Sequence, residues 1–206
     1  SCPTGTTRTG DIDGTNICAV AGVRTEDLTL TRGNYYELEG RVDIGVDVGA
    51  DGTAPAGDAA VLTIEPGAVI FGNSGADYLV VNRGSQIFSN GTRQNPVVFT
   101  SQADLEDTQA DPLNAISEWG GIVVLGDAPI SRCQTAATPG TDQCTNVVEG
   151  VTNPEASYGG SDATDSSGSI RYTQIKHAGF AINQQGNELN GLTMGGVGSL
   201  GSGRGG

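Results

Sequence analysis

The chain has little positive charge, few aromatic rings and no long apolar run. Ten lysines and arginines face 24 aspartates and glutamates, giving a formal net charge of −14, and Lys176 is the one lysine among 206 residues. Such a surface is repelled by phosphate backbones and anionic leaflets, so nucleic acid is excluded as a partner and a soluble protein is expected. No stretch comes near the roughly 20 apolar residues that span a bilayer. The first residues lack the charged-then-apolar pattern of a signal peptide, so the sequence reads as a mature protein. Aromatic residues make up 5%, which leaves the core to small and β-branched side chains. Helix formers never run long; the one segment with helical character is 103–110.

What the chain has in abundance is glycine, 33 residues, set between short β-branched pulses. The pulses fall at 61–64, 69–71, 78–81, 86–88 and 97–100, each bounded by Gly, Asn, Pro or Asp and each too short for a helix. Recurring about every eight to ten residues, they fit the rungs of a solenoid in which each coil stacks on the last. The expected fold class is therefore all-β, a right-handed parallel β-helix forming a single domain over 1–206. Residues 1–27 read as an N-terminal cap, with a strand signal only at 17–20. Coils then occupy 28–198, beginning with pulses at 28–30, 35–38 and 42–48 and a loop at 49–58. Two insertions interrupt them, near 102–117 and 131–168, the second read as loop throughout. The rungs restart at 119–125, and 169–177 and 192–198 give further pulses. The Gly-rich end, 199–206, does not resemble a cap, so the last coil is expected to be open to a partner or to another copy of the chain.

Four cysteines, Cys2, Cys18, Cys133 and Cys144, admit three pairings. The two local ones, Cys2 with Cys18 and Cys133 with Cys144, are favoured because each ties a turn-rich loop. Structural zinc normally wants a close C-x-x-C pair, which is missing. Disulfides place the chain in an oxidising compartment, secreted or at the cell surface.

Four segments are familiar: LTIEPGAVIFG at 62–72, GSQIFSNGTRQNPVVFTS at 84–101, WGGIVVLGDAPI at 119–130 and NELNGLTMGGVGS at 187–199. Together they resemble a family of secreted bacterial right-handed parallel β-helix repeat proteins, over most of 61–198. The resemblance implies a fold and export, for a family of mostly uncharacterised surface and secreted proteins; it transfers no catalytic residue. Pectate lyases, which share the architecture, use calcium-binding acids and an arginine base.

Candidate ligands for calcium follow from the acidic spacing. Asp11, Asp13 and Asn16, with Glu26 and Asp27 beyond them, are spaced like a compact oxygen-rich loop, although an Asx-turn explains the same residues. Asp43, Asp47 and Asp51, followed by Asp58, form a second series. A spacing of four puts Asp43 and Asp47 on one strand face, where their repulsion would welcome a cation. Solvated loop carboxylates are the alternative. Arg171, Lys176 and His177 share one pulse, but alternation places Lys176 opposite the other two. His177 has no recognisable nucleophile beside it and reads as a surface residue. Trp119 and Tyr158 are able to stack on sugar rings, or Trp119 simply packs at a coil corner.

The leading reading is an extracellular structural or adhesive β-helix without catalytic residues, contacting glycans through its insertions and self-associating through its open end into filaments. The alternative is a calcium-dependent polysaccharide lyase or hydrolase, with Asp43, Asp47 and Arg171 as its candidates.

Overall fold

A computed structural model describes residues 1–181 and 188–198; the Gly-rich end, 199–206, lies outside the described residues. In chain order the elements are β1 (Thr7–Ile12), β2 (Thr15–Arg24), β3 (Leu28–Leu30), β4 (Tyr35–Ile44), β5 (Val61–Ile64), β6 (Val69–Gly72), β7 (Tyr78–Val81), β8 (Gln86–Asn90), β9 (Val97–Ser101), α1 (Gln102–Leu105), β10 (Gly121–Leu125), β11 (Asn146–Val147), β12 (Ser157–Tyr158), β13 (Gly168–Arg171), β14 (Thr173–Ile175), β15 (Phe180–Ala181), β16 (Glu188–Leu189) and β17 (Leu192–Gly195).

Three parallel faces emerge from the pairing. The first stacks β2, β4, β6, β9 and β14. The second stacks the later parts of β2 and β4 with β7, β10 and β17. The third stacks β3, β5, β8 and β13. The chain visits each face once per turn, so the molecule is the parallel β-helix that its spacing predicts, and the pairing gives it three sides. Because β4 bends at Gly40, it pairs with β6 through Tyr35–Glu37 and with β7 through Arg41–Ile44. Gly40 has φ 66°, a left-handed conformation open to glycine, and its N–H donates to Asp77 Oδ1 at 2.7 Å.

Alternation along each strand sends every second side chain inward. Register then aligns them: Tyr36, Ile70, Phe99 and Ile175 form one interior ladder, and Val42, Leu79, Ile122 and Leu192 another. Full burial of each large apolar member stabilises by about 1.5–3 kcal/mol.

Several expectations are revised. The cap is an antiparallel hairpin of β1 and β2, turned by Asp13 (φ 49°) and Gly14 (φ 80°); Asp-Gly is a strong two-residue hairpin signal. Its second strand already runs parallel to β4, so the first rung lies inside the cap. Among the described residues helix is limited to Gln102–Leu105, and the end of the segment that follows turns to the rungs through Glu118. The pulse at 42–48 ends as a strand at Ile44, and the pulse at 169–177 is two strands on different faces, separated by Tyr172 at φ 45°.

The second insertion is more than loop. Val80, Val123 and Leu125 point away from the interior, yet all are fully buried, in a cluster with Val151, Ala156 and Leu189. Residues 126–167 lie over this outer face as a strap containing the β11–β12 hairpin. That explains why β10, GIVVL, is buried at every position instead of alternating. The strap is clamped by Arg41 Nη1, 2.5 Å from Pro154 O, and Arg83 Nη1, 2.7 Å from Gly159 O.

Candidate functional site

The first insertion folds back over the end of β9 and closes a polar pocket. Ser101 begins this fold: it caps α1, its Oγ accepting the Asp104 N–H at 3.1 Å. Capping turns Asp104 back over the strand. There Asp104 accepts from Thr100 Oγ1 at 2.5 Å and lies 2.6 Å from Lys176 Nζ and 3.7 Å from His177 Nε2. Burial pushes Asp104 up, but the hydrogen bonds from Lys176 and Thr100 and the charges of Lys176 and His177 outweigh it and hold the carboxyl below its ordinary range. Lys176 and His177 thus meet one carboxylate, against the alternation reading. His177 stands at φ 59°, past the end of β14, where the strand period no longer applies. Its ring is mostly buried, with Nδ1 2.8 Å from Ala115 O.

Glu118 faces the same region. Its carboxylate accepts from Ser101 Oγ at 2.5 Å and from Gln109 Nε2 at 3.0 and 3.1 Å. Gln102 Nε2 holds Glu106 Oε1 at 2.7 Å. Glu106 and Glu118 line a pocket of ≈ 370 Å³ together with Asn73, Ser74, Ser101 and Thr108. Asp77 shapes its rim by accepting the N–H groups of Asn73 at 2.8 Å and Ser74 at 2.9 Å. Beside it Glu37, which accepts from Asn73 Nδ2 at 3.2 Å, is raised by burial and by the charges of Glu39 and Asp77. Beneath the pocket Trp119 stacks on Phe99, centroids 6.1 Å apart, and its Nε1 donates to Lys176 O at 2.7 Å. The indole is a packing residue.

A second carboxyl pair joins the two ends of the strap. Asp127 is pushed up to about 6 by burial, by a hydrogen bond with Asp165 and by the charges of Asp165 and Asp162. Asp165 Oδ2 also accepts from Ser167 Oγ at 3.1 Å.

The candidate calcium ligands are not gathered. Asp13 is a hairpin-turn residue; Asp11 lies 3.7 Å from Arg8 Nη2, and Asn16 Oδ1 accepts from Arg8 Nε at 2.9 Å. Asp43 is gripped by Arg41 through two 2.9 Å bonds and accepts from Asn82 Nδ2 at 2.9 Å. Asp47 is gripped by Arg83 through two 2.8 Å bonds, and Asp51 Oδ1 accepts from Thr53 Oγ1 at 2.7 Å. Among the described residues no three His, Cys, Asp or Glu side chains are grouped to hold a metal ion. The residues present therefore do not fit calcium as a pectate lyase would use it. Arg171 lies on the third face, whereas Asp43 lies on the second and Asp47 in the loop beyond it. Both local disulfides form, Cys2–Cys18 and Cys133–Cys144.

Glu106 and Asp104 escaped the sequence reading because 102–117 passed as a variable insertion, and Glu118 because it falls between that insertion and the rung restarting at 119. Two local signals mark them: Ser101 three residues before Asp104, and Gln102 four residues before Glu106.

Three-sided stacking, a narrow apolar interior and loops inserted between rungs define a parallel β-helix with its polar site outside the core. The chain belongs to the pectate-lyase-like β-helix domain family, whose model matches residues 22–202. No curated protein and no solved structure matches it. No helix among the described residues is long and apolar enough to cross a membrane.

Proposed function

We propose that this domain is a carbohydrate-active protein working outside the cell, with a saccharide seated in the pocket of Glu106 and Glu118. The pocket itself carries the reading: two carboxylates, each steadied by a glutamine amide, share one small cavity with serine and threonine hydroxyls. Carboxylates and hydroxyls suit the dense hydrogen bonding of a sugar, and a carboxyl pair is the usual equipment for breaking a glycosidic bond. Membership of a pectate-lyase-like family supports the class of ligand. Two disulfides support the extracellular setting. Calcium is not needed in this reading, since Arg41 and Arg83 already neutralise Asp43 and Asp47.

The test is release of new reducing ends from a panel of soluble polysaccharides. Wild-type protein is expected to cleave at least one, and Glu118→Gln and Glu106→Gln to lose about 10²-fold or more in rate. Equal rates in all three proteins, or no polysaccharide bound or cleaved, would contradict the reading.

One observation favours a second reading, adhesion with self-association. Among the described residues β13, β14 and β17 pair on one edge only, and Met194 beside them is 63% exposed. Copies of the chain would associate through these unpaired edges; at the opposite end β1 covers the first face and leaves the outer edge of β3 unpaired among the described residues. A monomer by light scattering at high concentration would remove this reading.

A further inference from the structure

We infer that the groove between the strap and β17 is a second ligand site and that it takes a neutral saccharide. The inference rests on the carbohydrate reading above and adds a position and a chemical class to it. The groove measures ≈ 530 Å³ and is lined by Arg132, Asn146, Glu149, Tyr158, Thr193 and Met194.

Its walls are fixed before any ligand arrives. The β11–β12 hairpin is closed by pairing of Asn146 with Tyr158 and by the Val148 N–H, which donates to Ala156 O at 2.9 Å. Cys133–Cys144 ties the loop carrying Arg132, and Asn146 Nδ2 donates to Arg132 O at 3.0 Å, joining that loop to the hairpin. Val151 and Ala156 anchor the strap to the outer face. Tyr158 lies against Gly195, where a Cβ would come within 2.6 Å of its ring. Preorganised walls of this kind lower the ordering cost of binding.

What distinguishes this groove from the Glu106 and Glu118 pocket is its unspent hydrogen-bonding capacity. In the pocket the carboxylates are bonded to glutamines and a serine. In the groove the guanidinium of Arg132, the carboxylate of Glu149 and the phenol of Tyr158 have no hydrogen bond or ion pair among the described residues. A planar donor fork, a carboxylate acceptor and a phenol are the groups that grip neighbouring hydroxyls, while Tyr158 and Met194 offer apolar surface to a ring face. Glu149 and a net charge of −14 oppose carboxylated or sulfated sugars. Arg132 beside a single carboxylate opposes a metal ion. A neutral saccharide satisfies all of these groups.

The test is affinity electrophoresis and calorimetry of the intact domain with a neutral β-glucan and with polygalacturonate, at low and high salt. Arg132→Ala, Glu149→Gln and Tyr158→Phe are compared with wild type, with Glu118→Gln as the control for the other pocket; Arg132 and Glu149 are exposed, so the fold tolerates both changes. The expected result is binding of the β-glucan with little salt dependence. Arg132→Ala and Glu149→Gln should weaken it about tenfold or more, in the Glu118→Gln background as in wild type. Binding of polygalacturonate alone would overturn the inference. So would β-glucan binding lost only in Glu118→Gln, which leaves the carbohydrate reading standing. Absence of binding to any polysaccharide would overturn both.

Discussion

Lys176 Nζ lies 2.6 Å from Asp104 Oδ2, so the one lysine of the chain, just past β14, holds down the insertion that borders the candidate pocket. A pair with both partners partly exposed is worth little by itself. Its value here is positional, because Thr100, Ser101 and His177 converge on the same residue.

Asp104→Asn is expected to lower stability at neutral pH by about 1 kcal/mol, through lost charge-assisted hydrogen bonds in a partly exposed site. The sign with pH follows from the depressed carboxyl. Its contribution is present above the unfolded pKa near 4 and is lost as pH falls through the lower folded value. Thermal melts of wild type and Asp104→Asn between pH 2 and 7 should converge at the acid end.

Asp127 behaves oppositely. Its folded value of about 6 lies above the ordinary one, so its contribution is fully present below pH 4 and is lost as pH rises through 6. Asp127→Asn should therefore raise the Tm at pH 8 and flatten the slope between about pH 4 and 6. An unchanged slope would show that Asp127 is not held above its ordinary value.

The interior ladder should respond to cavity formation. Ile70 stands between Tyr36 and Phe99 and is 1% exposed, so Ile70→Ala should cost about 2–5 kcal/mol in urea unfolding. Val123→Ala, under the strap, tests the outer cluster, where a cost above about 1 kcal/mol confirms that the strap seals it.

Removing Cys133 and Cys144 together should loosen the strap by about 2–3 kcal/mol, the scale for closing a short loop. Limited proteolysis would then cut within 131–145 while the rungs stay intact. Cleavage throughout the chain would show instead that strap and rungs unfold together.

The β-helix was legible because its cause is local. Pulses such as 61–64 and 97–100 are strands because β-branched residues alternate between turn formers, and parallel stacking is the one way to bury so narrow a stripe. Asp13–Gly14 held an equally local hairpin signal that went unread. The site was less legible because it depends on contacts across rungs: Thr100 and Lys176 are 76 positions apart in sequence, and nothing near either names the other. Asp43 and Asp47 looked like an acidic pair in need of a cation, but Arg41 two residues away and Arg83 a rung later supply the charge.

Trp119 offers the most direct test, since it is the one tryptophan in the chain and directly follows Glu118. Its fluorescence should change saturably when oligosaccharide fills the Glu106 and Glu118 pocket, and the change should vanish in Glu118→Gln. A signal that stays flat for wild type across neutral and acidic oligosaccharides, with the protein folded, would contradict the assignment of that pocket as the sugar site.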